Sequence, residues 1–186
     1  MGNWSYELPF AKSMTGIGGL LLKGWQLNGI TTVQTGHPFE VRLGSFNRSG
    51  NLNTVNYAVH ERPDVNPNYA GNPILGGSDR YWDITAFALQ PANQRGNLGR
   101  NTLIGPGLVG WDMSIDKKFP IDEKRRIEFR GEVFNFPNHP NFSVPSGLTA
   151  FTGVTNGNPV ISPTWGVIST TVTTSRQIQF GLKFVF

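Results

Sequence analysis

The chain has 186 residues and no cysteine, 38% of its residues are hydrophobic, 15% are charged, and its formal net charge is +4. No run of about 18 apolar residues occurs, which excludes a helical membrane protein; the mean hydropathy of -0.26 leaves open a barrel whose strands alternate apolar and polar residues. Disulfides and thiolate metal sites are excluded, and the scattered cations form no basic stripe of the kind that binds nucleic acid.

Two strands are predicted in the N-terminal part of the chain, within residues 4–10 and 25–34. In both, apolar or small residues alternate with more polar ones, as in a strand with one apolar face. These residues are Trp4, Tyr6, Leu8 and Phe10 in the first strand, and Trp25, Leu27, Gly29, Thr31 and Val33 in the second. Ile30 interrupts the polar side of the second strand, and residues 11–24 form a connector of moderate length.

A hairpin is predicted in the middle of the chain, within residues 111–133. Its two apolar rows are Trp111, Met113 and Ile115, then Ile127, Phe129, Gly131 and Val133. The short polar link 120–124 joins the two strands, and Lys117 lies on the apolar side near this turn, where it could snorkel to a membrane interface.

The polar row of the second hairpin strand is wholly charged. It consists of Arg126, Glu128, Arg130 and Glu132. Because the charges alternate in sign on one face, cross-strand ion pairing is favoured over general acid–base chemistry. A charged row of this kind suits a watery barrel lumen better than the core of a sandwich.

Long stretches rich in Gly, Pro and Asn, at about 36–109 and 137–175, separate the predicted strands and are expected to be irregular. Long and short connections then alternate, as up-and-down threading across a membrane requires. In the first stretch, Arg62, Asp64, Tyr81 and Trp82 lie in a long loop of the kind that carries binding residues when a rigid scaffold holds it. The ligand-binding residues themselves stay unassigned.

Catalytic, metal and cofactor sites are not predicted. His37, His60 and His139 have no partner at metal-ligand spacing, so structural or solvent-facing roles are favoured. No G-x-S-x-G motif occurs, and the glycine-rich run at 96–107 lacks the lysine and Ser/Thr of a phosphate loop. We therefore do not expect an enzyme.

The last eleven residues, RQIQFGLKFVF, predict a membrane-crossing strand. Its apolar row also resembles the signal that the barrel-assembly machinery reads by β-augmentation, in which an aromatic residue ends the row. These residues are Ile178, Phe180, Leu182, Phe184 and Phe186. The predicted fold is all-β: an antiparallel up-and-down sheet of about five strands with long loops, forming a partial segment of a transmembrane β-barrel.

Aromatic residues also collect near the proposed strand ends, as in the girdles of outer-membrane barrels. They are Trp4, Trp25, Trp111, Phe119 and Phe136. The alternative is that aromatic residues favour strands of any kind.

An ordered set of segments resembles the C-terminal part of Oar-like TonB-dependent outer-membrane receptors. The set comprises GWQLNGITTVQTGHPFEV at 24–41, RPDV at 62–65, WDITAFALQP at 82–91, GNLGRNTLIGPGLVGWDMSIDKKF at 96–119, IEFRGEVFNFPNHPNF at 127–142, WGVISTT at 165–171, and the C-terminal strand. Pro137 stands where similar sequences often have a second phenylalanine.

The resemblance implies solute uptake across the bacterial outer membrane through a plugged barrel of about 22 strands. The implied partners are outer-membrane lipid, the barrel-assembly machinery, the rest of the barrel with its plug, and TonB through an N-terminal part. Because residues 1–10 are not a secretory signal, we expect the chain to be a piece of a longer protein, with 1–186 a single partial barrel region. The alternative is a secreted or cell-surface β-sandwich that acts as a binding or adhesion module.

Overall fold

The computed structural model describes residues 1–50 and 61–186. Its elements in chain order are β1 (Gly2–Glu7), α1 (Gly16–Leu22), β2 (Trp25–Gln34), β3 (Pro38–Phe39), β4 (Arg42–Leu43), β5 (Asp64–Val65), a 3₁₀ turn (Ile84–Ala86), β6 (Phe87–Ala88), β7 (Leu103–Ile104), β8 (Leu108–Pro120), β9 (Arg126–Phe134), β10 (Thr149–Thr155), β11 (Asn158–Ile161) and β12 (Gln177–Val185). Within these described ranges, no helix has the length and apolar character needed to cross a bilayer.

The chain divides into two compact units, which we call the sheet unit and the loop unit. The sheet unit comprises Met1–Gln34, Leu108–Asn141 and Val172–Phe186. The loop unit comprises Thr35–Gly107 and Phe142–Thr171. That residues 1–186 form a single barrel region stays a prediction.

The sheet unit is built around a five-stranded sheet with the order β1-β2-β8-β9-β12. Every neighbouring pair is antiparallel and consecutive within the sheet unit, which confirms the predicted up-and-down arrangement. Strands β2, β8, β9 and β12 have 9 to 13 residues, about the length of one tilted membrane crossing. Strand β1 ends before Pro9, which has no amide hydrogen to donate to a ladder.

Two glycines on the apolar side of the sheet make room for aromatic rings. Gly29 pairs with Trp4, and a side chain at Gly29 would overlap the indole ring. Gly131 pairs with Phe180, and a Cβ there would lie 3.4 Å from the phenyl ring. In each pair the ring covers backbone that glycine leaves bare, which is a known device for fixing strand register.

Helix α1 was not predicted, because residues 11–24 were expected to form a plain connector. Its sequence is GIGGLLL, and it ends where the Lys23 amide bonds to the Gly19 carbonyl. Gly24 follows with a φ of 70°, a left-handed conformation that favours glycine and turns the chain into β2.

The long connections begin and end close to the predicted boundaries, but the prediction that they are irregular was wrong. Among its described residues the loop unit contains three small sheets, with the orders β11-β10-β4, β3-β7 and β5-β6. Its hydrophobic core is drawn from both connections and consists of Phe39, Val41, Leu43, Tyr81, Trp82, Ala86, Phe87, Leu98, Leu103, Ala150, Phe151 and Ile168. Most of these strands have only two residues, too few for a period of two to be visible in the sequence.

Candidate functional site

One face of the five-stranded sheet carries apolar side chains on every strand. The register aligns them in rows, with Leu27 opposite Ile115 and Phe129 opposite Leu182. We call this surface the apolar band. Its members are Trp4, Tyr6, Trp25, Leu27, Val33, Val109, Trp111, Met113, Ile115, Phe119, Ile127, Phe129, Val133, Ile178, Phe180, Leu182 and Phe184. A continuous apolar surface of this extent is suited to an apolar medium.

The exposure of the apolar band contradicts the sandwich alternative. In a sandwich, Phe129, Phe180 and Phe184 would be buried against a second sheet. Instead Phe180 is 75% exposed and Phe184 is 52% exposed, and Phe129 is only half-buried.

The opposite face carries a network of polar side chains, which we call the polar wall. Asn28 Nδ2 donates to Asp116 Oδ2 at 2.5 Å and to Ser114 Oγ at 3.3 Å. Ser114 Oγ in turn donates to Asp116 Oδ2 at 2.9 Å. A separate bond on the same face, from Gln26 Nε2 to Ser5 Oγ at 2.6 Å, joins the first two strands. Paired in this way, the side chains are held in fixed positions on the face.

The predicted charge ladder lies on the polar wall, but most of its ion pairs run along β9. Arg126 Nε lies 2.7 Å from Glu128 Oε1, and Arg130 Nε lies 3.0 Å from Glu132 Oε1. Cross-strand pairing is confirmed at Arg130, whose Nε also lies 3.3 Å from Asp116 Oδ1 on β8. Residues two apart on a strand share a face, which allows pairing along the strand. The carboxylates are thus engaged in charge-assisted pairs.

The aromatic residues predicted near strand ends lie at both ends of the sheet, except for one that lies halfway along it. Trp25 opens β2 and Phe119 lies near the close of β8, so both are at the end with the tight turn. Trp111 and Phe136 contact at the other end, with ring centroids 5.3 Å apart. The prediction was wrong for Trp4, which pairs with Gly29 halfway along β2.

The five residues of the predicted assembly signal lie on or next to strand β12. Register places Ile178, Phe180, Leu182 and Phe184 in the apolar band, as the alternation predicted. Phe186 follows the strand, is 91% exposed, and stacks on Phe184 at 5.9 Å. In the ranges that the structure covers, β12 pairs with β9 only, and β-augmentation requires an open edge of this kind. Recognition by the assembly machinery stays a prediction.

Three asparagines shape the turn that follows β9, which we call the asparagine turn (135–141). Buried Asn141 pairs with the backbone of Val109 in both directions: its Oδ1 accepts at 2.8 Å and its Nδ2 donates at 2.9 Å. Asn135 Nδ2 donates to the carbonyls of His139 and Thr174 at 3.1 and 3.0 Å. Asn138 Oδ1 accepts from the Arg176 amide at 3.0 Å.

The sequence analysis assigned no role to these three asparagines. Asn135 and Asn138 adopt φ values of 50° and 55°, which asparagine tolerates better than most residues. The signal available in the sequence was the asparagine at every third position beside proline.

The four residues singled out in the first long stretch make structural contacts within the loop unit; that this stretch contacts an extracellular ligand stays a prediction. Trp82 is fully buried and Tyr81 is 6% exposed, both in the core of the loop unit. Burial raises the pKa of Tyr81, whose hydroxyl donates to the Ile104 carbonyl at 3.1 Å. Arg62 Nε donates to a backbone carbonyl at 2.7 Å, and Asp64 Oδ1 accepts from a backbone amide at 2.8 Å. These four side chains therefore brace the loop unit.

A second bracing cluster surrounds Glu61. Its carboxylate accepts from the Arg48 amide at 2.9 Å and from Ser49 Oγ at 2.6 Å. Arg48 Nε donates to the carbonyl of Gln90, a residue that is fully buried. The sequence gives no sign of this cluster, because its members lie far apart along the chain.

The described part of the chain contains no group of three or more metal-binding side chains. His37 and His139 are both exposed, while His60 lies outside the described residues. The His139 amide donates to Asn135 Oδ1 at 3.0 Å, which gives this residue a place in the asparagine turn.

The two faces, the strand lengths and the alternation of tight and long connections together define a wall segment of a transmembrane β-barrel. Comparison with known families agrees, since the family described as Outer membrane beta barrel domain matches residues 1–179. The chain therefore belongs to the outer membrane β-barrel domain family and is a protein of the outer membrane. No curated protein and no solved structure matches it.

Proposed function

We propose that the chain is part of a TonB-dependent transporter of the Oar-like group that takes up solutes across the outer membrane. The ordered segments described above support this assignment. We assign the chain a transport role and no catalytic one.

The observation that carries the proposal is the polar wall directly behind the apolar band. Along β9 the two surfaces alternate residue by residue, with Arg130 and Glu132 on one side and Phe129 and Val133 on the other. With the apolar band against lipid, the polar wall faces the barrel interior. A paired, charged interior wall suits a passage that is filled by water or by a plug.

The sheet also supports a barrel larger than itself. Single-chain outer-membrane barrels have at least about eight strands, whereas the sheet unit has five. In the residues described, β1 and β12 are edge strands with one neighbour each. We propose that the rest of the receptor barrel pairs with these edges, that the plug lies against the polar wall, and that TonB acts through an N-terminal part of the receptor.

The loop unit suits contact with an extracellular solute. It connects strands at the end with long connections, which faces outward in bacterial barrels. Its core and the Glu61 cluster fix its backbone before any ligand arrives, and a preorganised surface loses less entropy on binding.

Transport and energy coupling can be tested without knowing the solute. Cells with and without the gene, each with and without TonB, are grown in the same complex medium, and depletion of its solutes is followed by mass spectrometry. We expect a small set of solutes to be depleted more slowly in either deletion, with no further loss in the double deletion.

Two results would contradict the proposal in different ways. If deletion of the gene slowed solute depletion further in cells that already lack TonB, the energy coupling would be refuted. Unchanged depletion of every solute in the gene deletion would refute transport and leave the outer-membrane barrel assignment standing.

A further inference from the structure

Helix α1 exposes an unusually apolar surface for a short connector. Ile17 is 77% exposed, and Leu20, Leu21 and Leu22 are 44%, 53% and 51% exposed. The seven residues of the helix include no polar side chain. In water this surface would be unfavourable, since transferring apolar surface out of water is favourable.

The last turn of α1 is held by the apolar side of the sheet. Trp25 Nε1 donates to the Leu21 carbonyl at 3.0 Å, and Lys117 Nζ donates to the carbonyl of Lys23. Trp25 and Lys117 are cross-strand partners on the face that carries the apolar band. Two carbonyls at the end of α1, which the helix leaves unpaired, therefore take their donors from that face.

These two hydrogen bonds place the end of α1 beside the apolar band. Phe119, a member of the band, also contacts Lys117, whose Nζ lies 4.9 Å from the ring centroid. The cations Lys12 and Lys23 lie on either side of α1 and are both exposed. Lysines near the ends of an apolar helix extend their ammonium groups to the membrane interface while the apolar residues contact lipid.

The end of the sheet at which α1 lies indicates the leaflet. The β8–β9 turn at the same end is tight, closed by a hydrogen bond from the Ile121 amide to the Arg125 carbonyl at 2.9 Å. In bacterial barrels short turns face the periplasm, where the leaflet consists of phospholipid.

We propose that α1 is an interfacial anchor seated among the phospholipids of the periplasmic leaflet. Ile17, Leu20, Leu21 and Leu22 contact acyl chains, while Lys12 and Lys23 bind the phosphate groups. Trp25 and Lys117 position the helix against the outer wall of the barrel. The proposal rests on the outer-membrane assignment and is independent of transport.

This chain has no cysteine, so the proposal can be tested with single spin labels once any cysteine elsewhere in the complete protein is replaced by serine. Leu21→Cys is labelled with a nitroxide in the complete protein, in proteoliposomes of phosphatidylethanolamine and phosphatidylglycerol. Frequent collision of the nitroxide with oxygen indicates that the label lies in lipid. Frequent collision with a water-soluble nickel chelate indicates that it lies in water. Phe180→Cys and Gln179→Cys supply the lipid-facing and interior references. Ile17→Cys is a second helix probe, and only variants that keep the heat-modifiable mobility of a folded barrel are compared.

We expect both helix labels to favour oxygen over the nickel chelate, as the label at Phe180 does. A preference for the nickel chelate like that at Gln179 would overturn the proposal. Poor access of both reagents would also overturn it, because protein and not lipid would then cover the helix.

The positioning role and the leaflet are tested separately. Lys117→Met removes the donor to the Lys23 carbonyl but keeps an apolar stem, so the label at Leu21 should become more mobile while the label at Phe180 does not change. A membrane-impermeant maleimide should label Glu123→Cys only after the outer membrane of intact cells is permeabilised. Unchanged mobility would refute positioning by Lys117, and labelling in intact cells would refute the periplasmic leaflet.

Discussion

An arginine introduced on the lipid-facing side of β12 should lower the free energy of unfolding far more than one introduced on the interior side. Phe180 is the fourth of nine residues in β12, near the middle of the strand, and is 75% exposed on the apolar band. An arginine facing lipid near the bilayer midplane destabilises a barrel by about 2–4 kcal/mol. A loss of about 3 kcal/mol lowers the folding equilibrium constant roughly a hundredfold, since 1.4 kcal/mol corresponds to a factor of ten. Phe180→Arg also uncovers Gly131, which adds to the loss.

The adjacent residue Gln179 provides a matched control. It faces the polar wall and bonds to the Glu132 carboxylate, so Gln179→Arg places the new cation beside an existing anion. We expect the free energy of unfolding to change by less than about 1 kcal/mol, the usual range for an exposed ion pair. Both variants are measured in the complete protein by reversible guanidinium unfolding in vesicles, with heat-modifiable mobility as the readout. Equal losses in the two variants, or a larger loss at Gln179, would refute the assignment of the faces.

Three further predictions concern the turns and the loop unit. Asn141→Ala removes the side chain's two bonds to Val109, each worth about 1 kcal/mol net, and should lower the free energy of unfolding by about 2 kcal/mol in the same titration; no change would contradict the bracing role of Asn141. Trp82→Ala should destabilise the loop unit by about 3–5 kcal/mol, seen as faster trypsin cleavage on intact cells, and cleavage at the wild-type rate would count against a packed core. Hydrogen bonds from the Arg125 side chain and nearby amides lower the pKa of Asp122, so its stabilisation is present above pH 4 and is lost as pH falls through the lowered value. The difference in unfolding midpoint between wild type and Asp122→Asn should therefore shrink below about pH 4, and a difference that grows there would refute this linkage.

The long strands were predictable because each lies between two different environments. In β12, Phe180, Leu182 and Phe184 alternate with more polar residues because one side of the strand faces lipid and the other faces the barrel interior. Residue spacing alone therefore gave both the strand and its faces. Trp4 shows the limit of this reasoning, because its depth in the sheet depends on its pairing with Gly29 and not on its distance from a strand end.

The loop unit was not predictable in the same way because its structure depends on contacts between distant residues. Trp82 packs against Phe87 and Trp165, with ring centroids 5.3 and 5.4 Å apart, and Trp165 comes from the other long connection. A hydrophobic core assembled in this way has no local period. High Gly, Pro and Asn content then suggests irregular loops, although the same residues here form the turns of a packed unit.

Lys117 connects strand β8 to the proposed membrane anchor α1 through a hydrogen bond. The alternation placed it on the apolar side, where a lysine facing lipid is unfavourable, although less so near the interface than at the midplane. Snorkelling was the expected solution, yet the side chain is only 3% exposed, and its ammonium bonds to the carbonyl at the end of α1. A cation at a helix C-terminus is favoured by the helix dipole as well as by the hydrogen bond. Because GIGGLLL is short and has no polar face, such contacts from the sheet are what allow it to persist as a helix at the membrane surface.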